Sequence, residues 1–187
     1  QNIIGFNEAE VNELSSFDLE FNLTNAEGVK AIQFDIPINT SAIELLSGHQ
    51  LSERASGFSI SVSVVNQSSL RVVLFSVNGS VINSGTGEVF KLKLKSKTLP
   101  GTYTINITNE VISGVNGSSL AFEKSSSSII VKGSHFNLVT TSLNFGRVPI
   151  GNQATGNITI SNSGNEPLII SPTNIAAPFS ILTELPL

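Results

Sequence analysis

Apolar and polar side chains alternate with a period of two along most of this chain, the pattern of strands that bury one face only. Across residues 16–23, Phe17, Leu19, Phe21 and Leu23 share one face while Asp18, Glu20 and Asn22 take the other. Residues 31–38 repeat the pattern, with Ile32, Phe34, Ile36 and Ile38 inward against Gln33 and Asp35. Pro37 marks a strand end or an edge in that run. Residues 43–46 form a short apolar piece, and Phe58, Ile60, Val62 and Val64 stand opposite serines. The clearest case is residues 89–97, with Phe90, Leu92 and Leu94 inward and Lys91, Lys93, Lys95 and Lys97 outward. Tyr103, Ile105 and Ile107 continue the series, and residues 128–131 close it.

Turn chemistry separates these runs. Asn78-Gly79, Ser84-Gly85-Thr86-Gly87, Pro100-Gly101 and Asn116-Gly117 combine residues suited to tight turns. Helical periodicity is not sustained over three turns anywhere, and residues 7–14 read equally as one helical turn or as a loop. About nine strands result, which predicts an all-β, two-sheet sandwich over residues 1–132. Lys132-Gly133-Ser134 is the expected hinge to a second module.

That second module, residues 133–187, carries a different signature. The runs at Ile158–Ile160 and Leu168–Ile170 flank the polar turn Asn162-Ser163-Gly164-Asn165-Glu166. Leu143 and Phe145 precede them, followed by Gly146, Pro149 and Gly151. Strand, turn, strand spacing of this kind opens an immunoglobulin-like sandwich, which needs about 100 residues. Roughly half of these lie before Leu187, so a partial sandwich is expected, its remainder lying beyond Leu187. A strand donated by another chain is the competing account.

Composition narrows the function classes. Hydrophobic residues make up 40% of the 187, enough for a core. Charged residues make up only 13%, so Ser, Thr, Asn and Gln must cover much of the surface, a style common in secreted β proteins. The net charge of −4, without a basic block, leaves nucleic acid no electrostatic footprint. Cysteine is absent, which excludes disulfides, thiolate chemistry and Cys-ligated metals. With no Met, Gln1 is not expected to be an intact translational start, so either a removed signal peptide or an omitted tag and leader is expected before it. No apolar run approaches the roughly 18 residues of a membrane span, so no membrane insertion is expected within this segment. Asn-x-Ser/Thr triplets begin at Asn22, Asn39, Asn66, Asn78, Asn106, Asn116 and Asn157. Chance accounts for such triplets in a chain this rich in Asn, Ser and Thr, and several fall within predicted strands, where a glycan is awkward.

Reactive chemistry is poorly supplied. His49 and His135 are the only histidines and sit in different loops, far from the makings of a Ser–His–acid set. Asp18 and Glu20 point along a solvated strand face, which does not suit paired-carboxylate hydrolysis. The chain is therefore read as a non-enzyme. Glu8, Glu10 and Glu13 are the candidates for structural calcium, but no Asp-x-Asp-x-Asp-Gly loop supports it, and no cofactor is expected. Trp is absent and the sole Tyr103 reads as inward, so an aromatic sugar platform is lacking. The lysine comb fits either an anionic cell-surface glycan or the protection of an exposed strand. Residues 70–75 are apolar on both faces, with Leu70, Val72 and Leu74 on one and Val73 and Phe75 beside Arg71 on the other. Such a strand either offers a patch to a protein partner or is central and covered.

The blocks GVKAIQFDIPINTSAIELLSG, LRVVLFS, SGTGEVFKLKLKSK and PGTYTINITNEVISGVNG occur in this order, and residues 5–131 resemble the cohesin-type β-sandwich, a nine-stranded jelly roll. The resemblance implies a non-catalytic module that holds a dockerin through one sheet face. It places that face on outward positions of residues 31–38 and 70–76, which gives Gln33, Asp35, Arg71, Val73 and Phe75 as partner-binding residues. The LNFG, VPIG and NSGNEPLII pieces are similar to the choice-of-anchor or ASH-type immunoglobulin-like repeats of bacterial surface proteins. Together they imply a secreted or cell-surface module for protein–protein interaction, adhesion or scaffolding. Its partner would be dockerin-like or another surface protein. The alternative is a carbohydrate-binding module of a secreted bacterial protein, with a cell-surface glycan as ligand.

Overall fold

The computed structural model describes residues 1–171 and 175–183. The chain divides into two compact units, Gln1–Lys132 and Gly133–Leu187.

The first unit contains strands β1 (Ile3–Phe6), β2 (Ala9–Asn12), β3 (Ser16–Asn25), β4 (Val29–Pro37), β5 (Ile43–Leu45) and β6 (Gln50–Leu51). A 3-10 turn at Glu53–Ala55 follows, then β7 (Ser59–Val65), β8 (Ser69–Phe75), β9 (Gly85–Ser96), β10 (Gly101–Ile105), β11 (Thr108–Gly114), β12 (Glu123–Ser125) and β13 (Ser127–Lys132). One layer holds the order β12-β1-β3-β9-β5, with β6 also on β9, and a separate small sheet has the order β10-β13-β2. The facing layer is the four-stranded sheet β11-β4-β8-β7.

Alternation builds the core as the sequence implies. Leu19, Phe21 and Leu23 of β3, Ile32, Phe34 and Ile36 of β4, Leu70, Val72 and Leu74 of β8, and Phe90, Leu92 and Leu94 of β9 are all buried. Four phenylalanines tie the layers together. Phe21 stacks on Phe90 at 4.6 Å within one sheet and on Phe34 of the other at 5.1 Å, while Phe6 meets Phe34 edge-on at 5.9 Å. Offset and edge-on rings of this kind add to their area burial. Buried polar groups are answered locally. Ser96 Oγ donates to Asn12 O at 2.6 Å and accepts from Ser15 N, and Asn25 Nδ2 donates to Glu27 O and Asn83 O. The half-buried Arg54 guanidinium clasps β3 to β9 through Leu23 O, Gly87 O and Asn25 Oδ1.

Residues 7–14 are neither helix nor loop throughout. Ala9–Asn12 is β2, laid parallel on β13 with Val11 opposite Val131, and Val11 is buried. Glu and Ala favour helix locally, but the pairing edge of β13 overrides so weak a preference. The segment around Asn106 and Ile107 also departs from expectation. The predicted strand there breaks, because β10 pairs with β13 in the small sheet and β11 with β4 in the four-stranded one. Asn106 consequently lies in the crossover between sheets and is exposed, and of the triplet asparagines only Asn22 falls within a described strand.

In the second unit, β14 (Phe136–Leu138) pairs antiparallel with β15 (Ile160–Asn162), Leu138 lying opposite Ile160. Asn162 folds the polar turn, its Oδ1 accepting from His135 N and Gly164 N and its Nδ2 donating to Glu166 O. The run Leu168–Ile170 forms no strand, contrary to its apolar pattern. An apolar run becomes a strand only where a partner edge takes its backbone bonds, and none is set against it among the described residues. Ile150, Ile158 and Ile169 of this unit are exposed.

Candidate functional site

Outward positions of β11, β4, β8 and β7 line up in three cross-strand rows: Thr108–Asp35–Arg71–Ser63, Val111–Gln33–Val73–Ser61 and Ser113–Ala31–Phe75–Ser59. The sequence-predicted residues Gln33, Asp35, Arg71, Val73 and Phe75 therefore share one face on the two central strands. Register does this: Gln33 lies opposite Val73 and Asp35 opposite Arg71, while the inward neighbours Ile32, Phe34, Val72 and Leu74 are buried in the core. A one-residue slip would exchange the two sets, so the buried side fixes the exposed one.

Each row has its own chemistry. At one end Arg71 grips Asp35 with both arms of the fork, Nε to Oδ1 at 2.8 Å and Nη2 to Oδ2 at 2.9 Å. Asn109 Nδ2 adds a third bond to Asp35 Oδ2 at 3.0 Å, and Thr108 Oγ1 donates to Asp35 O. The Arg71 hydrogen bonds hold the Asp35 carboxyl below its ordinary value of 3.8, against a burial that pushes it up. The side chain of Asp35 is 7% exposed and that of Arg71 43%, so the pair presents mainly the guanidinium edge to solvent. The middle and far rows are apolar or neutral. Val111 is 57% exposed and Phe75 37%, with Val73, Ala31 and Gln33 half-buried between them and exposed Ser59 and Ser61 on the flank.

Of the two readings open for residues 70–75, the strand is central yet its outward side chains reach the surface. β11 was not legible as a strand. Its register shifts between Thr108 and Val111, and Asn109 adopts a positive φ of 53°. A bulge of this kind breaks the period of two that would have announced Val111 and Asn109 as members of the face.

Other candidates disperse. Lys91 pairs with Glu20 at 2.9 Å and Lys93 with Asp18 at 2.8 Å, while Lys97 Nζ donates to Thr40 O, so the comb is largely answered from within. Glu10 pairs with Lys132, and Glu8 accepts from Ser128 Oγ. Among the described residues no three His, Asp or Glu side chains converge as metal ligands. His49 Nδ1 accepts the backbone N–H of Lys93 at 3.1 Å, and burial pushes the ring below its ordinary 6.5. His135 belongs to the other unit. Tyr103 is half-buried with its hydroxyl donated to Leu99 O. No helix among the described residues is long and apolar enough to cross a membrane.

A two-layer jelly roll with a five-strand order on one side and four strands on the other is the cohesin type of β-sandwich, and the first unit has that fold. Comparison with solved structures supports this at the level of fold. The chain is similar to a non-cellulosomal cohesin from the archaeon Archaeoglobus fulgidus, with a TM-score of 0.60 and 16% identity over 71% of this chain and 92% of that one. It is similar to the seventh ScaB type I cohesin from Pseudobacteroides cellulosolvens, with a TM-score of 0.59 and 14% identity over 82% and 98% of the two chains. A type I cohesin–dockerin complex from Clostridium thermocellum gives a TM-score of 0.60 at 12% identity, over 70% of this chain and 99% of that one. No protein-family model matches the sequence, and no curated protein matches it.

Proposed function

We propose that the first unit is a non-catalytic protein-interaction module that holds a folded partner, dockerin-like in character, against the outward face of β11-β4-β8-β7. The observation that carries this reading is the patch of exposed Val111 and Phe75 with half-buried Val73, spread over two adjacent cross-strand rows of a sheet whose other side is already a complete core. Such a surface gains from being covered without any need for it in folding. The Asp35–Arg71 pair beside it would fix orientation, since a paired but partly exposed guanidinium still has donors to offer. Several structural neighbours are cohesins in complex with dockerins, which favours a dockerin-like partner over a sugar. The low charge content fits a secreted or cell-surface setting, and we read residues 133–187 as the opening part of an immunoglobulin-like domain of the choice-of-anchor or ASH type.

The test is a binding series against immobilised dockerin modules, with Val73→Ser and Phe75→Ser combined. Capture is expected to fall by about thirtyfold or more, the loss of a buried apolar anchor. Unfolding in urea should shift by less than about 1.5 kcal/mol, because both side chains face outward. Undiminished capture, or wild-type protein that binds no dockerin but does bind a glycan array, would overturn the reading.

A further inference from the structure

Strand edges in the first unit are guarded in different ways, with one exception. β11 carries a bulge, the Glu110–Lys124 ion pair, and a covering segment in which Leu120 N donates to Ile112 O. β12 is three residues long and bears Glu123 and Lys124, while β5 and β6 are two short pieces separated by Gly48. β2 is four residues long with Glu10 facing Lys132, and β10 is a five-residue strand that begins after Pro100. These are the devices by which native edges avoid pairing with other chains.

β7 has none of them. It is seven residues long, SISVSVV, and pairs with β8 without a shift from Ser59↔Phe75 to Val65↔Ser69. Neither Pro nor any charged residue occurs from Ala55 to Leu70. Its inward side chains are incompletely covered, with Ile60 and Val62 half-buried and Val64 48% exposed although the opposite Leu70 is buried.

We infer that β7 is an interface between two copies of this chain, joined edge to edge as antiparallel strands. Self-complementarity selects this occupant. An antiparallel β7–β7 pairing centred on Val62 sets Ser61 of one copy opposite Ser63 of the other, and Ile60 opposite Val64. Hydroxyls then meet hydroxyls on the outward side, aliphatic groups meet aliphatic groups on the core side, and no charge opposes itself. Such a two-fold contact closes after two copies, because the far edge β11 is guarded. The four-stranded sheet becomes an eight-stranded one, and its two outward faces lie side by side.

Sedimentation of the full chain over a wide concentration range tests this. The mass is expected to move from 19.7 kDa toward twice that value, with β7 amides gaining hydrogen-exchange protection as concentration rises. Ser61→Glu with Ser63→Glu sets like charges opposite one another and should leave a monomer with an unchanged urea midpoint. Mixing it with Ser61→Lys plus Ser63→Lys should restore a dimer made of one copy of each. A wild type that stays monomeric, a dimer that persists in the Glu variant, or association without protection of β7 would each overturn the inference.

Discussion

The two outer faces of the first unit rest on one core and have opposite characters. On the β3–β9 face, carboxylates meet lysines in register: Asp18 opposite Lys93 and Glu20 opposite Lys91. Lys91 and Lys93 are thereby neutralised by neighbours a strand away. On the β4–β8 face, one ion pair sits beside Val73, Phe75 and Val111, which have no such neighbours. The same period of two produced both. The difference teaches that a comb of like charges can be consumed by its own neighbours, whereas two valines and a phenylalanine at outward positions leave an apolar patch uncovered.

The largest expected effect removes the support common to both faces. Phe21→Ala, at the centre of the phenylalanine stack, should cost about 3–5 kcal/mol in urea unfolding. A loss below about 1 kcal/mol would mean that the stack does not join the layers. Next is Asp35→Asn, which leaves Arg71 without its carboxylate and touches only the β4–β8 face. The sign with pH follows from the depressed Asp35 value. Its contribution is present above the unfolded carboxylate range and is lost as pH falls through the lower folded value. The wild-type advantage over the variant should therefore be full at neutral pH and vanish in strong acid, as followed by thermal melts.

Smaller still is Lys93→Ala on the charged face. An exposed pair of this kind contributes about 0.2–1 kcal/mol and weakens with salt, and dockerin capture should not change. Loss of capture would reverse the assignment of the two faces. The smallest effect is expected from His49, whose neutral Nδ1 takes the Lys93 N–H at the edge of the charged sheet. Because its value is depressed, stability is retained above 6.5 and declines as pH falls below it. His49→Asn should flatten that decline, which a pH series of melting temperatures would reveal.

Much of the fold was legible in the chain because burial on one side of a strand writes itself as alternation. Residues 16–23, 31–37 and 89–96 lie in strands with the expected faces, Ile38 and Lys97 falling just past the ends of β4 and β9. What failed, failed where pairing outweighed pattern. Ala9–Asn12 became a strand through β13, and the run at Leu168–Ile170 found no partner edge among the described residues. At the candidate face, alternation placed Gln33, Asp35, Arg71, Val73 and Phe75 on outward positions, and the cohesin resemblance is what singled them out. Val111 and Asn109 were hidden by a bulge.

By itself, then, the sequence determined which side chains turn inward and that no cysteine or dense acidic loop is available for reactive or metal chemistry. Alternation is a local property, set within two residues by backbone geometry. Tertiary structure alone decided that Lys93 would be answered by Asp18, that Asp35 would be held by Arg71 and Asn109, and that β7 would be left as an unguarded edge. These are contacts between residues tens of positions apart, and they exist only once strand order and register have been chosen by the packing of the core.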